Sequence, residues 1–539
     1  MKPDVAHSAH QDTFARDHLP PAELWPQLEF TLPELQYPPR LNCAAELLDL
    51  HIERGHGAHP VFHFPGGQWT YHDLYAAANR IAHVLVEDLG LVAGHRVLLR
   101  APNNALQAAC WFAVLKAGGI VVCTMPLLRP RELRYILDHA QVNLALVDAR
   151  FADALQETLA QPGRRSVPVT LFGNGELEAL MASKLPRFTH VDTAADDVAI
   201  IAYTSGTTGR AKGTVHFHRD ILAICDCWPR HVLRPRANDV FCGSPPFAFT
   251  FGLGALVLFP MSVGASALLL EQAQPPQLLE GIQTFRPSIV FTSPTAYRAM
   301  LGRLPDFDVS SLKKCVSAGE ALPLATFQAW KRATGIEIID GIGATELLHI
   351  FISAAGAAIR PGSTGTAVPG YEARIVDDDM NELPPGQIGK LAVRGPTGCR
   401  YLGDDERQRS YVKKGWNLTG DAYLMDEDGY FWFQARADDM IISAGYNISG
   451  PEVENVLLEH ECVQECGVVG APDDERGFIV KAFIVLKPGV APADHLIKEL
   501  QDFVKAQIAP YKYPRAIEFV STLPRTDTGK LQRFKLREE

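Results

Sequence analysis

Residues 202–213 run Ala202-Tyr203-Thr204-Ser205-Gly206-Thr207-Thr208-Gly209-Arg210-Ala211-Lys212-Gly213, hydroxyls and glycines packed behind an apolar, strand-like stretch at 198–202. Glycine lets backbone N–H groups approach an anion closely, Ser and Thr hydroxyls add donors, and Lys212 supplies charge. The chemistry on offer is phosphate binding. A Walker-type loop needs its lysine directly after glycine and before a hydroxyl residue. Here Lys212 lies between Ala211 and Gly213, so that reading fails. An ordinary Gly/Ser/Thr turn is the plain alternative.

Further strings could serve the rest of a nucleotide. Gly341-Ile342-Gly343-Ala344-Thr345-Glu346 offers a hydroxyl and a carboxylate, and magnesium favours one or two carboxylates completed by substrate phosphates. Taken alone, Glu346 reads as a buried helix-capping glutamate. Ser317-Ala318-Gly319-Glu320 is equally an ordinary turn. Asp421, at the end of Trp416-Asn417-Leu418-Thr419-Gly420-Asp421, is an acceptor-only carboxylate of the kind that suits a vicinal diol. Arg436 and Asp438 read on their own as a solvated charged turn, and Lys530 as a surface lysine near the end of the chain.

Together these strings resemble the adenylate-forming superfamily, which includes acyl-CoA synthetases, luciferases and peptide-synthetase adenylation domains. The resemblance implies an enzyme that uses ATP and Mg²⁺ to activate a carboxylic acid as its adenylate. Thr204, Ser205, Gly206, Thr207, Thr208, Gly209 and Lys212 would then form the phosphate loop. Gly319 and Glu320 would flank the adenine opposite Ile342 and Gly343, Thr345 would contact phosphate, and Glu346 would hold Mg²⁺. Asp421 would accept from both ribose hydroxyls, and Arg436 would reach ribose and phosphate. Lys530, in Pro524-Arg525-Thr526-Asp527-Thr528-Gly529-Lys530, would be the adenylation lysine. A positive charge about 4 Å from two converging anions is worth roughly 4 kcal/mol at an effective dielectric near 20, or about a thousandfold in rate. Two departures stand out: Ile342 occupies the place of a tyrosine that stacks on adenine in many members, and Ala435 that of a glycine before the arginine.

The family performs two half-reactions by turning its small domain about a hinge, here Asp438, and Gly445 in Ser443-Ala444-Gly445-Tyr446 matches a glycine lining the pantetheine tunnel. Coenzyme A is the implied acceptor, with a carrier protein as the alternative. A non-catalytic nucleotide-binding protein is the reading from a different class. Phe247-Ala248-Phe249-Thr250-Phe251-Gly252-Leu253-Gly254 and Thr345-Glu346-Leu347-Leu348-His349-Ile350-Phe351 resemble the benzoate-CoA ligase branch. By that resemblance Phe249, Thr250, Phe251, Gly343, His349 and Ile350 wall the acid pocket, a flat apolar slot suited to an aryl carboxylic acid. Read without the family, the same aromatics are plain core. Thr250 and Phe251 stand where benzoate-specific members tend to have alanine and tyrosine, which points to a ring substituent and to 2-aminobenzoate or benzoate as substrate.

Positioning these strings takes a large fold. Apolar runs at 96–99, 119–124 and 144–147 alternate with helical patterns such as 71–89, which predicts βα units and parallel sheets. Short strands around 391–394 and 429–434, with turns at 377–379 and 426–429, predict a β-rich section. Beyond it, a helix at 451–460, strands at 465–469 and 481–486 and a helix at 494–507 make a small α+β unit. The expected class is α/β: a large domain over 1–437 and a small mobile lid domain over 438–539.

At 539 residues the chain exceeds what one core supports. Its 47% hydrophobic and 21% charged residues are those of an ordinary globular protein. A net charge of −11 excludes a protein built mainly to grip nucleic acid. Ten cysteines lack a CxxC pair, His216 and His218 lack a third metal ligand, and residues 1–27 are polar and proline-rich. The expectation is a cytoplasmic enzyme with reduced thiols and no membrane partner, with a homodimer left open. Residues 251–270 are long enough to span a bilayer, but Pro260 and Gly264 interrupt them, which predicts a buried helix followed by a short strand.

Overall fold

The computed structural model describes residues 8–163, 166–204, 211–319, 322, 324–436, 440–444, 446–473, 475–524 and 533–537. Among these, the strands assemble into four sheets. In the first, Val169–Phe172, Leu144–Asp148, Arg96–Arg100, Ile120–Thr124 and Val198–Thr204 run parallel in that order, and Lys212–Phe217 closes the edge antiparallel. Arg96–Arg100 and Leu144–Asp148 are buried at every position, as strands covered on both faces must be.

The second sheet has nine strands. Its parallel centre runs Ile338–Gly343, Lys314–Ser317, Ile289–Thr292, Val240–Gly243, Ser266–Leu268 and Pro60–Phe64, with antiparallel strands at both edges. One hydrophobic core joins the two sheets: Val97, Leu99 and Val121 of the first share it with Phe241, Phe291 and Ile352 of the second. Helix Ala105–Lys116 belongs to that core and is buried on all sides, which explains why its sequence shows no polar face. Helix Tyr71–His83 starts at a reciprocal cap between Thr70 and Asp73, then continues as a π turn over Val84–Asp88.

A third, antiparallel sheet contains Glu372–Val376, Ile388–Arg394, Trp416–Met425 and Phe431–Arg436. The fourth lies in the C-terminal part, where Val463–Asp473 and Gly477–Leu486 pair over their whole length and pack on helices Gly450–Leu457 and Asp494–Gln507. The mixed α/β class read from the sequence is the observed one.

The apolar stretch at 251–270 is a buried helix followed by the strand Ser266–Leu268, yet Pro260 does not interrupt it. A π turn over Gly254–Leu258 shifts the hydrogen-bond ladder, and Pro260 falls in the first turn of the helical segment Phe259–Ser262, where its missing N–H costs nothing. Among the described residues no helix is long and apolar enough to cross a membrane. None of the ten cysteines is paired.

Candidate active site

Open α/β sheets bind ligands beyond the carboxyl ends of their strands. Here the ends of both parallel sheets open into one cavity of about 1680 Å³. Thr124 and Thr204 reach it from the first sheet, and Ser244, Ser293, Gly319 and Gly343 from the second.

Thr204 and Lys212 face each other as the last register pair of two antiparallel strands, and the glycines and hydroxyls of the string lie between them in the sequence. Both line the cavity, as do Thr345 and Glu346. Glu346 is buried, with Oε1 accepting from the Tyr401 hydroxyl at 2.6 Å and lying 3.9 Å from Lys212 Nζ. Cation and carboxylate thus stand at the outer limit of an ion pair, and both face the cavity. Asp421 lines the same space; its backbone N–H donates to Thr419 Oγ1 at 3.3 Å. Arg436 is its register partner on the neighbouring strand, with a side chain outside the described set. Ile342 is half-buried against the main core rather than on the cavity wall.

The aromatic string forms a second region of the cavity. Phe249, Thr250 and Phe251 begin the buried helix, and Gly343, His349 and Ile350 face the same space. The Phe251 ring lies 5.8 Å from Phe291 and 5.7 Å from His349, and Phe259 meets His349 edge-on at 4.4 Å. Burial pushes the His349 imidazole down to about 3, against the contact with the Phe251 carbonyl, so the ring is neutral at physiological pH. Its Nε2 donates weakly to that carbonyl at 3.4 Å, and Nδ1 has no hydrogen-bond partner among the described residues. Gly343 permits the close approach of the next strand: a Cβ there would come within 2.8 Å of the His349 carbonyl oxygen.

The C-terminal part closes the cavity with Ala444, Tyr446, Arg476 and Lys512. Lys512 reaches across the junction, donating to Glu132 Oε1 at 2.6 Å and to Glu452 Oε1 at 2.8 Å, while the Ala509 N–H donates to Glu132 Oε2 at 3.1 Å. Arg131 pairs with Glu459 alongside.

Of the residues singled out in the sequence, Thr204, Lys212, Gly319, Gly343, Thr345, Glu346, Asp421, Phe249, Thr250, Phe251, His349 and Ile350 therefore meet at one cavity. Ser205, Gly206, Thr207, Thr208, Gly209, Glu320, Asp438, Gly445 and Lys530 lie outside the described residues. Sequence reasoning missed Tyr401, Lys512 and Arg476, for which no local string is a signal. His216 and His218 serve internal contacts, to the Thr345 carbonyl and to Cys43 respectively, and no group of three metal-binding side chains occurs among the described residues.

The model of the AMP-binding enzyme matches residues 51–401, and that of the AMP-binding enzyme C-terminal domain matches residues 452–530. A benzoate–CoA ligase of Thauera aromatica is 36% identical over 514 residues, covering 94% of this chain and 98% of that one. Among solved structures, the anthranilate CoA ligase AuaEII in complex with anthranoyl-AMP is 36% identical, with a TM-score of 0.72, and covers 94% of this chain and 98% of its own. The amide bond synthetase McbA from Marinactinospora thermotolerans superposes with a TM-score of 0.83 at 27% identity, covering 92% of this chain and 99% of that one. These likenesses run over nearly the whole length of the chain, and the chain belongs to the AMP-binding enzyme family.

Proposed function

We propose that this chain is an aryl acid–CoA ligase. The acid's carboxylate oxygen attacks the α-phosphorus of ATP and pyrophosphate departs, leaving an acyl-adenylate. The sulfur of coenzyme A then attacks the acyl carbonyl, the bond to the phosphate oxygen breaks, and AMP departs. The observation that carries this reading is the continuity of the cavity: the wall of Phe249, Phe251, Gly343, His349 and Ile350 opens directly onto Thr345, Glu346 and Lys212. An apolar slot beside a polar phosphate site is what joining an aryl acid to a nucleotide requires.

In this reading the 204–209 loop and Lys212 surround the phosphates, Thr345 donates to the α-phosphate, and Asp421 and Arg436 take the ribose. Gly319, Glu320, Ile342 and Gly343 flank the base; Ile342, placed off the wall, supports packing from behind rather than stacking. Glu346 is the residue that would hold magnesium. One hard carboxylate oxygen, outside any group of three metal-binding side chains among the described residues, fits an ion that takes its remaining ligands from phosphates and water. Bound there, the ion supplies charge neutralisation. Lys530 serves the adenylation step, Asp438 is the hinge of the small part 438–539, and Gly445 admits the pantetheine arm. Ala444 and Tyr446 at the cavity support that last assignment.

The acid we favour is benzoate or 2-aminobenzoate. His349 supports a substituted ring, because a buried neutral imidazole adds a polar group to an otherwise apolar wall. The test is pyrophosphate release with ATP, Mg²⁺ and CoA across benzoate, aminobenzoates, hydroxybenzoates, cinnamates and fatty acids. Benzoate and 2-aminobenzoate are expected to lead. A preference for fatty acids would overturn the substrate, and no acid-dependent release from any of them would overturn the activity.

A further inference from the structure

The turn Thr345–Leu347 ends at Leu348, whose φ of 72° and ψ of −39° belong to a region that residues other than glycine rarely occupy. Such a conformation persists only where its surroundings over-determine it. Here each of the three turn residues is gripped by a side chain from elsewhere in the chain. His216 Nε2 donates to the Thr345 carbonyl at 2.7 Å. The Tyr401 hydroxyl donates to Glu346 Oε1 at 2.6 Å. Thr397 Oγ1 donates to the Leu347 carbonyl at 2.7 Å and, its own proton so used, accepts from the Tyr371 hydroxyl at 2.7 Å.

The grips are tied to one another. Thr214 and Tyr401 form an isolated antiparallel bridge, and the Val215 N–H donates to the Arg400 carbonyl at 2.8 Å. The strand that bears Lys212 and His216 is thereby stitched to the segment that bears Tyr401. His216, Thr397 and Tyr401 are all buried, so water cannot substitute for a lost bond. Tyr401 and Lys212 both address Oε1 of Glu346, which reserves Oε2 for a ligand.

We propose that His216, Thr397 and Tyr401 are positioning residues that hold the Thr345–Leu347 turn in its strained form, and that Tyr401 fixes the orientation in which Glu346 meets a nucleotide-bound cation. This rests on the reading of Glu346 given above. None of the three lines the cavity, so the assignment concerns the supporting layer, whose loss typically costs about 10–100-fold in metal affinity or activity.

The experiment uses full-length Tyr401→Phe beside the unaltered enzyme. Three quantities are read: the Mg²⁺ dependence of pyrophosphate release with ATP and benzoate, the binding of Mn²⁺ with a non-hydrolysable ATP analogue by electron paramagnetic resonance, and thioester formation from synthetic benzoyl-adenylate and CoA. Half-saturating Mg²⁺ and the Mn²⁺ dissociation constant should rise by about 10–100-fold while the thioester step stays within about twofold. Unchanged metal dependence in a folded variant overturns the proposal, and so does an equal loss in both half-reactions. Should Tyr401→Phe fail to fold, Thr397→Val, which removes one hydroxyl from the same clamp, is read in the same way. If the unaltered enzyme releases no pyrophosphate with any acid but the variant still weakens Mn²⁺ binding, the ligase reading falls and the clamp stands.

Discussion

Gly254 shows how tightly the proposed acid slot is set at the level of single residues. A methyl group at this position would come within 2.4 Å of His349 Cδ2 and 2.5 Å of Nε2, so the glycine is what lets the imidazole lie flat against the helix. Gly254→Ala should tip the ring into the slot. A displacement of methyl size in an apolar pocket is worth about 10–200-fold in discrimination, and kcat/KM for the best benzoate should fall by that order relative to a smaller acid. Unaltered selectivity across the acid panel would show that His349 is not a wall. The aromatic string around Phe249 was legible in the sequence because slot residues sit next to one another along the chain. Tyr401 was not, since it lies 55 residues from Glu346 and meets it only through the fold.

Elements carry a different kind of constraint, visible where the helix His218–Trp228 begins. Asp220 caps it by accepting from the Phe217 N–H at 3.0 Å, and its carboxylate also takes Arg400 Nη1 at 2.8 Å, with both partners wholly buried. Burial would raise the Asp220 carboxyl, but the Arg400 guanidinium holds it well below the usual range. Arg400 in turn stacks over Phe217 at 4.1 Å and faces Trp25 at 5.2 Å. Removing one partner of such a pair strands the other in the interior, so Arg400→Leu should cost about 3–5 kcal/mol in denaturant unfolding, and adding Asp220→Asn should recover part of it. A cost below about 1 kcal/mol would mean the pair is as weak as one at the surface. The strands and helices themselves were readable from apolar runs and periodicity. What escaped was the ladder shift around Gly254–Leu258, because a π turn leaves no mark on hydrophobic spacing and makes Pro260 look like a stop.

For the whole molecule, the question is what keeps the C-terminal part over the cavity. Lys512 answers for much of it: it is buried between Glu132 of the large body and Glu452 of the small one. If the small part turns between half-reactions, this contact belongs to the arrangement that brings Ala444 and Tyr446 to the cavity. Glu132→Gln should then slow thioester formation from preformed adenylate on the order of tenfold, the worth of a hydrogen bond to a charged group, and leave adenylate formation unchanged. Equal effects on both steps would dissociate the junction from any turning. The sequence suggested two parts but not this bridge, whose members lie 380 and 60 residues apart along the chain.

The ten unpaired cysteines bear on how such motion can be watched. Nine are buried and Cys123 is half-buried, and burial pushes thiols such as Cys123 and Cys315 up to about 12, far from the reactive thiolate. The native chain is therefore nearly silent to maleimide dyes. One cysteine introduced at Leu185 and another at Val490, both exposed and on opposite sides of the junction, would be its fast-labelling sites and would convert any turning of the C-terminal part into a distance that single-molecule fluorescence can follow turnover by turnover.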